Sequence, residues 1–153
     1  MTQHLAVGKP APEFELLSDA GKSVRLSEFR GRKVVLYFYP KDDTPGCTKE
    51  ACNFRDGRSR LKRREAVVLG VSVDSVESHR RFKKKFHLNF PLLSDAERRV
   101  VTGYGVWKQK SLYGRTFMGI ERTTVLTDEA GRIAKIFPKV KVDGHLDDVL
   151  ASL

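Results

Sequence analysis

The chain has 153 residues, of which 40% are hydrophobic and 31% are charged, and its formal net charge is +10. This length predicts a single domain over residues 1–153 and is too short for two ordinary domains. The balance of apolar and charged residues argues against long disordered segments. No apolar run is long enough to cross a bilayer, so we expect no membrane association.

The chain contains two cysteines, Cys47 and Cys52. Two cysteines are too few to form a disulfide scaffold in a domain of this size, and the first residues show no secretion signal. A reducing compartment is therefore expected, and the cytoplasm is the predicted location.

The basic residues lie largely in two runs, 58–65 (RSRLKRRE) and 79–87 (HRRFKKKFH). Each run also carries apolar residues at helix-like spacing, so the basic side chains are explained as solvated helix faces. The alternative is a basic module that binds nucleic acid. No nucleic-acid-binding motif or base-stacking aromatic pattern accompanies the charge, and we expect no specific nucleic acid partner.

The first elements along the chain are predicted to be short strands. Residues 13–17 and 22–26, separated by the turn sequence SDAG, predict an N-terminal β-hairpin. Continuous apolar and aromatic runs at 34–39 (VVLYFY) and 66–73 (AVVLGVSV) predict parallel strands that are covered on both faces. The segment between them is rich in charged helix formers, with apolar residues at helical intervals. It predicts a helix that completes a βαβ unit, with Cys47 in its first turn.

The second half of the chain predicts further helices and a hairpin. Asp74 and Ser75 are candidate N-caps for a helix at 76–86, and Asp95 is a candidate N-cap for a helix that begins at Ala96. The other predicted elements are strands at 90–93, 123–128 and 132–137, followed by a C-terminal helix. This order predicts an α/β protein with a thioredoxin-like fold. Helices flank a central mixed β-sheet, and the N-terminal β-hairpin precedes it.

The segment with the clearest chemistry is PKDDTPGCTKEAC, residues 40–52. A cysteine in the first turn of a helix faces unpaired backbone N–H groups and the positive end of the helix dipole, and both favour the nucleophilic thiolate. Thr44 precedes this turn, where its hydroxyl can hydrogen-bond a substrate oxygen. For Pro40, the hypothesis is that it shields the thiolate from water. The pattern indicates a nucleophilic Cys47.

The two cysteines admit several other interpretations. Two cysteines five residues apart on a helix can simply fill a core. A metal site is disfavoured because C-x4-C lacks a second ligand pair, and the spacing of the four histidines supplies none: His4, His79, His87 and His145. A thioredoxin-like disulfide reductase generally uses C-x-x-C, whereas position 50 is Glu. The surrounding motif favours a different thiol chemistry.

The motif P-x-x-x-T-P-x-C resembles the active-site signature of peroxiredoxins. The longer string YFYPKDDTPGCTKEAC is similar to the peroxiredoxin Q subfamily, also called bacterioferritin comigratory protein, and the similarity extends over almost the whole chain. The resemblance implies a thiol-specific peroxidase that reduces hydrogen peroxide and organic hydroperoxides. It implies no haem, flavin or metal cofactor.

The resemblance also assigns roles to individual residues. Cys47 corresponds to the peroxidatic cysteine, and Thr44, Pro40 and Arg122 correspond to the threonine, proline and distant arginine that accompany it. A guanidinium is always charged and can donate to peroxide oxygens, although an arginine alone is most often a surface residue. Cys52 matches the position of the resolving cysteine. The family further implies a thioredoxin or glutaredoxin-like protein as reductant, and a monomer.

The spacing of the two cysteines has a mechanical consequence. In a regular helix, residues i and i+5 have Cα atoms about 8 to 9 Å apart, beyond the roughly 7 Å limit for a disulfide. A disulfide between Cys47 and Cys52 therefore requires the helix to unwind locally. A further hypothesis assigns the positive charge a role in steering an acidic reductase toward Cys47.

Overall fold

The computed structural model describes residues 5–153, so His4 lies outside the described residues. No helix in this range combines the length and the apolar character that a membrane span requires. The strands are β1 (Glu15–Ser18), β2 (Ser23–Arg25), β3 (Lys33–Phe38), β4 (Ala66–Ser72), β5 (Leu92–Ser94), β6 (Trp107–Leu112), β7 (Arg115–Ile120), β8 (Thr123–Thr127) and β9 (Ile133–Phe137). The helices are α1 (Pro45–Asp56), α2 (Arg58–Arg63), α3 (Val76–Phe86), α4 (Arg99–Gly103) and α5 (His145–Ala151), with a 3-10 turn at Leu26–Phe29.

Seven strands form one mixed sheet in the order β2-β1-β5-β4-β3-β8-β9. Strand β3 pairs in parallel with β4 and antiparallel with β8, and β4 pairs in parallel with β5. Strands β1 and β2 form the predicted N-terminal hairpin at one edge. The predicted thioredoxin-like architecture is thus confirmed. A separate hairpin of β6 and β7 was not predicted.

Strand β3 lies at the centre of the core because both of its faces are covered. Val35 and Tyr37 pack into the apolar cluster beneath α1, α2, α3 and α5. Leu36 and Phe38 point to the other face, where they meet α4 and the N-terminal segment. Continuous apolar strands are typical of parallel sheets covered on both faces. This burial holds the carboxyl end of β3, from which the Cys47 segment leaves, in a rigid position.

Two local predictions were wrong in detail. The helix predicted to begin at Ala96 begins at Arg99, because Arg98 has a left-handed backbone conformation (φ 63°) that a helix running from Ala96 could not include. Asp95 is buried and is not the N-cap residue. Its carboxylate still serves this helix, since Oδ2 accepts the backbone N–H of Val101 at 2.8 Å. The short strand predicted at 90–93 is observed at Leu92–Ser94.

The helix after β3 is divided at Gly57 into α1 and α2. A Cβ atom at this position would lie 2.6 Å from Cδ2 of Leu146, so glycine there leaves room for the Leu146 side chain of the C-terminal helix. The predicted cap of α3 is confirmed, because the Ser75 side chain accepts the backbone N–H of Ser78 at 3.1 Å.

Phe54 packs α1 against the sheet, and a substitution at this position tests the packing described above. Its ring is 1% exposed and lies 4.8 Å from the Tyr37 ring, centroid to centroid. We expect Phe54→Ala to lower the free energy of unfolding by about 3 to 5 kcal/mol, because the cavity cannot be filled. Phe117→Ala, at a ring that is 47% exposed, should change it by less than about 0.5 kcal/mol. Urea denaturation monitored by circular dichroism measures both, and equal effects would contradict this description of the core.

Candidate active site

The loop that follows β3 delivers Cys47 to the start of α1. Pro45 occupies the first position of the helix, where its missing N–H costs no hydrogen bond. Cys47 follows in the first turn and is 1% exposed. Its thiol therefore lies at the carboxyl end of a central parallel strand and at the amino end of a helix, as the sequence predicted. Crevices at this end of parallel strands are common ligand sites in α/β proteins.

Asp42 holds the loop between β3 and α1 in place. Its carboxylate accepts the Tyr39 hydroxyl at 2.6 Å and the Ser78 hydroxyl at 2.8 Å, and it lies 2.7 Å from Nδ1 of His79. Its backbone N–H donates to Asp74 at 2.9 Å. Oxygen and nitrogen atoms of Asp42, Asp74 and His79 lie within 4.8 Å of one another, but these hydrogen bonds already occupy them. The cluster ties the loop to α3.

Arg122 approaches Cys47 from the strand next to β3 in the sheet. It immediately precedes β8, and the pairing of Phe38 with Thr123 brings it to the edge where the chain leaves β3. One guanidinium nitrogen, Nη2, lies 3.4 Å from Sγ of Cys47. A Cβ atom at Gly46 would lie 3.1 Å from the same nitrogen. The glycine therefore leaves room for the arginine. Arg122 and Cys47, which are 75 positions apart in the chain, are thereby in contact.

Thr44 and Pro40 border the same loop. The Thr44 hydroxyl donates to the backbone carbonyl of Lys41 at 2.8 Å, so it does not cap α1. Its oxygen keeps acceptor capacity, because a hydroxyl can accept while it donates. Pro40 is half-buried at the start of the loop. Both residues lie in the short segment that joins the end of β3 to the Cys47 turn.

Cys52 lies on α1 together with Cys47, and both cysteines are free thiols. Cys52 is half-buried, whereas Cys47 is fully buried. Arg55 is near enough that Cys52 contributes to raising its pKa, after the larger effect of the hydrogen bond from Arg55 to Asp56. The structure thus contains the intact helix, in which the two cysteines are separated as the helical spacing predicts.

Glu50 is a site residue that the sequence analysis did not single out. It is 1% exposed, and its Oε1 accepts from Nη1 of Arg122 at 2.6 Å, while its Oε2 has no hydrogen-bond partner among the described residues. Burial raises the pKa of Glu50 to about 7, against the opposing effect of Arg122. Its spacing of three residues from Cys47, on the same helix face, was a usable signal.

Lys110 on β6 is a second residue near the site that was not predicted. Its pKa is lowered by partial burial and by the charge of Arg122, and the charge of Cys47 acts in the opposite direction. Lys110 is therefore within electrostatic range of Arg122 and Cys47. Sequence offered no signal for this, because it depends on where the hairpin lies relative to the rest of the fold.

The fold and the site define a thiol enzyme of thioredoxin-like architecture with a buried cysteine paired to an arginine. Comparison with known proteins extends this conclusion. The family profile of AhpC/TSA matches residues 7–136. The putative peroxiredoxin bcp of Coxiella burnetii is 53% identical over 149 residues, which cover 97% of this chain and 99% of that protein. Peroxiredoxin Bcp of Bacillus subtilis is 48% identical, with 97% and 95% covered.

Solved structures agree with the sequence relatives. The bacterioferritin comigratory protein of Xanthomonas campestris, described for its alkyl peroxide reduction activity, superposes with a TM-score of 0.89 at 38% identity, and the match covers 96% of each chain. The chain therefore belongs to the AhpC/TSA family of peroxiredoxins, in the bacterioferritin comigratory protein or peroxiredoxin Q subfamily. Peroxiredoxins are peroxidases that draw electrons from thiols, and this chain is an enzyme of that class.

One difference concerns the second cysteine. Structures of Xanthomonas campestris peroxiredoxin Q include serine variants of two cysteines, which stand much farther apart in that sequence than Cys47 and Cys52 do here. This chain has two cysteines in all, so its second thiol occupies a different place in the sequence from the second replaced cysteine of that protein.

The buried Glu50 predicts a pH dependence of stability. Its pKa is about 7 in the folded protein, against an ordinary value of 4.5, so the folded state retains a proton that the unfolded state releases. Stability contributed by this group is complete below pH 4.5 and is lost as the pH rises through 7. In a Cys47→Ser background, the free energy of unfolding should decline by roughly 1 to 3 kcal/mol as the pH rises from 4.5 to above 7, and Glu50→Gln should abolish this decline. Urea unfolding between these pH values measures it, and parallel curves for the two proteins would contradict the assignment.

Proposed function

We propose that Cys47 is the peroxidatic nucleophile of this peroxiredoxin and that Arg122, Thr44 and Pro40 form its immediate surroundings. The observation that carries the proposal is the contact of one guanidinium with both Sγ of Cys47 and the buried carboxyl group of Glu50. A cation held in this way can donate to a thiolate and to a peroxide oxygen without reorganising during the reaction. Its side chain is 17% exposed, so water competes weakly for its donors.

In the first step, the Cys47 thiolate attacks the terminal oxygen of a hydroperoxide. The S–O bond forms as the O–O bond breaks, Cys47 becomes a sulfenic acid, and the leaving alkoxide or hydroxide takes up a proton to give alcohol or water. Two electrons pass from sulfur to oxygen. Nη2 of Arg122 and the unpaired first-turn N–H groups of α1 are directed at the region where negative charge develops. The Thr44 hydroxyl lies at the entrance to the same turn and can orient the peroxide.

In the second step, the Cys52 thiol attacks the sulfenic sulfur, and water leaves as the disulfide forms. The helix must open for this, because a regular helix keeps positions 47 and 52 beyond disulfide distance. Opening breaks the contact of Cys47 with Arg122 and exposes the buried carboxyl group of Glu50. The enzyme then alternates between an intact helix that reacts with peroxide and a partly unwound helix that carries the disulfide.

In the third step, an external dithiol protein of the thioredoxin or glutaredoxin type reduces the disulfide. A cycle of this kind requires a compartment in which such reductants operate, which supports the cytoplasm as the location. The cycle uses protein thiols alone and needs no added cofactor. Every proposed reacting group lies within one chain, which supports a monomer as the working unit.

The two cysteines have separable roles that serine variants distinguish. Cys47→Ser should abolish peroxide consumption, because no other thiol occupies the site beside Arg122. Cys52→Ser should consume one equivalent of peroxide rapidly and then stall with thioredoxin as reductant, with Cys47 accumulating as sulfenic or sulfinic acid. Peroxide consumption coupled to thioredoxin, with mass spectrometry of Cys47, measures both. Unchanged steady-state turnover by Cys52→Ser would exclude Cys52 as the resolving cysteine.

The role of Arg122 predicts a large effect on the first step. Arg122→Met should slow oxidation of the reduced enzyme by about 100-fold to 1,000-fold, which is typical for loss of a donor to a developing negative charge. Arg122→Lys should restore part of the rate, since an ammonium group carries the charge but lacks the rigid planar array of donors with which the guanidinium contacts Cys47 and Glu50 together. Arg115 is exposed on β7, so Arg115→Met is the control, and this variant should be oxidised at the wild-type rate. Stopped-flow single-turnover kinetics measures the rate, and a near-normal Arg122→Met would remove the arginine from the mechanism.

A further inference from the structure

The edge of α1 that carries Cys52 is bordered by cationic side chains. Nη1 of Arg55, one turn beyond Cys52, donates to the backbone carbonyl of Phe86 at the end of α3. Lys85 of α3 pairs with Asp43 at the start of α1, with 2.8 Å between Nζ and Oδ2. These two contacts join α3 to α1 at both ends of the segment that contains Cys52. The half-buried thiol therefore lies in the segment of α1 that these two contacts tie to the C-terminal end of α3.

Most acidic side chains near this edge are already paired. Asp43 binds Lys85, Asp56 binds Arg55 at 2.9 Å, and Asp147 lies 3.9 Å from Arg60. In contrast, several exposed cations on α2 and α3 form no ion pair among residues 5–153; these are Arg58, Lys62, Arg63, Arg80, Arg81 and Lys84. The surplus of positive charge is thus concentrated on the helices that flank α1.

We name the exposed residues Arg58, Lys62, Arg81 and Lys84 the basic face. We propose that the basic face is the docking surface for the reductant, and that it selects a dithiol protein whose redox site is surrounded by acidic side chains. This inference rests on the proposed function, because it concerns delivery of electrons to the Cys47–Cys52 disulfide. Complementary charge raises the association rate and fixes the orientation of the partner. Residues 81 and 84 are helical neighbours, so they present their charges together.

The exchange that follows docking is a two-electron thiol–disulfide reaction. One thiolate of the partner attacks Sγ of Cys52, forms a mixed disulfide and releases Cys47 as a thiolate. The partner's second thiol, after losing its proton, attacks the partner's own sulfur in the mixed disulfide and releases Cys52 as a thiolate, which takes up a proton. Cys52 is the more accessible of the two sulfur positions in the intact helix. Release of Cys47 allows α1 to re-form beside the Arg122 cation.

The distribution of aromatic side chains favours a protein partner over a single-stranded nucleic acid. Binding of single strands generally combines cations with exposed aromatic rings on which bases stack. The large exposed aromatic side chains in the described part of the chain are Tyr113 and Phe117, and both belong to the β6–β7 hairpin. The basic face, formed by α2 and α3, presents charge without them. Charge alone suffices to steer an acidic protein.

The test compares Lys84→Glu with Lys9→Glu, which reverses an equivalent charge elsewhere. Both lysines are exposed and form no ion pair among the described residues, and Lys9 lies beside the turn between β8 and β9. With an acidic thioredoxin, its reductase and NADPH, we expect Lys84→Glu to lower kcat/KM for thioredoxin by about threefold to tenfold. Arg81→Glu/Lys84→Glu should lower it further, and Lys9→Glu should match wild type. Raising the ionic strength from about 0.02 to about 0.3 M should slow the wild type and reduce the differences.

Dithiothreitol as reductant separates docking from catalysis. It is small and uncharged, so turnover that it supports should be equal in wild type, Lys84→Glu and the double variant. Equal kcat/KM for thioredoxin in all variants, or an equal loss with dithiothreitol, would overturn the docking proposal. If the wild type consumed no peroxide with either thioredoxin or dithiothreitol as reductant, the proposed function itself would be overturned. Tighter binding of an oligonucleotide than of thioredoxin, abolished by the same reversals, would also contradict a protein partner.

Discussion

The bridge that Arg122 forms between Cys47 and Glu50 is the contact on which the rest of the site depends. The arginine arrives from the strand next to β3, so its position relies on the register of β3 and β8. Cys47 is carried by α1, and the first turn of this helix has room for the guanidinium because position 46 is glycine. Sheet pairing, helix entry and side-chain chemistry therefore all converge on one cation. A shift in any of them would separate the thiol from its partner.

The same arrangement must also come apart during the cycle. The sheet and the loop held by Asp42 are rigid, but the first turn of α1 depends on contacts that involve Cys47, Glu50 and Arg122. Burial of a carboxyl group whose second oxygen lacks a partner among the described residues is costly, which limits the net stabilisation of this turn. A turn of limited stability on a rigid sheet is suited to an enzyme that must both hold and release one cysteine.

Charge is distributed unevenly over the molecule, and this distribution separates two functions. Near the buried thiol, the Arg122 guanidinium is hydrogen-bonded to the carboxyl group of Glu50, and both groups are largely removed from water. On α2 and α3, exposed cations remain unpaired among the described residues and create a field that extends into solvent. The buried charges act on the reacting atoms at short range. The exposed charges act on a partner before contact, over distances at which dissolved salt screens the electrostatic attraction.

The sequence by itself determined the chemistry and the topology. The motif from Pro40 to Cys52 identified the nucleophile and its family, and the two apolar runs around it predicted the βαβ unit, because both signals are local in the chain. Only the tertiary structure decided which distant groups meet that thiol. The approach of Arg122 to Cys47, the pairing of Glu50 with Arg122 and the packing of Leu146 against Gly57 depend on contacts between segments far apart in sequence. Local periodicity carries no record of such contacts, since they arise from strand register and the packing of helices across the sheet.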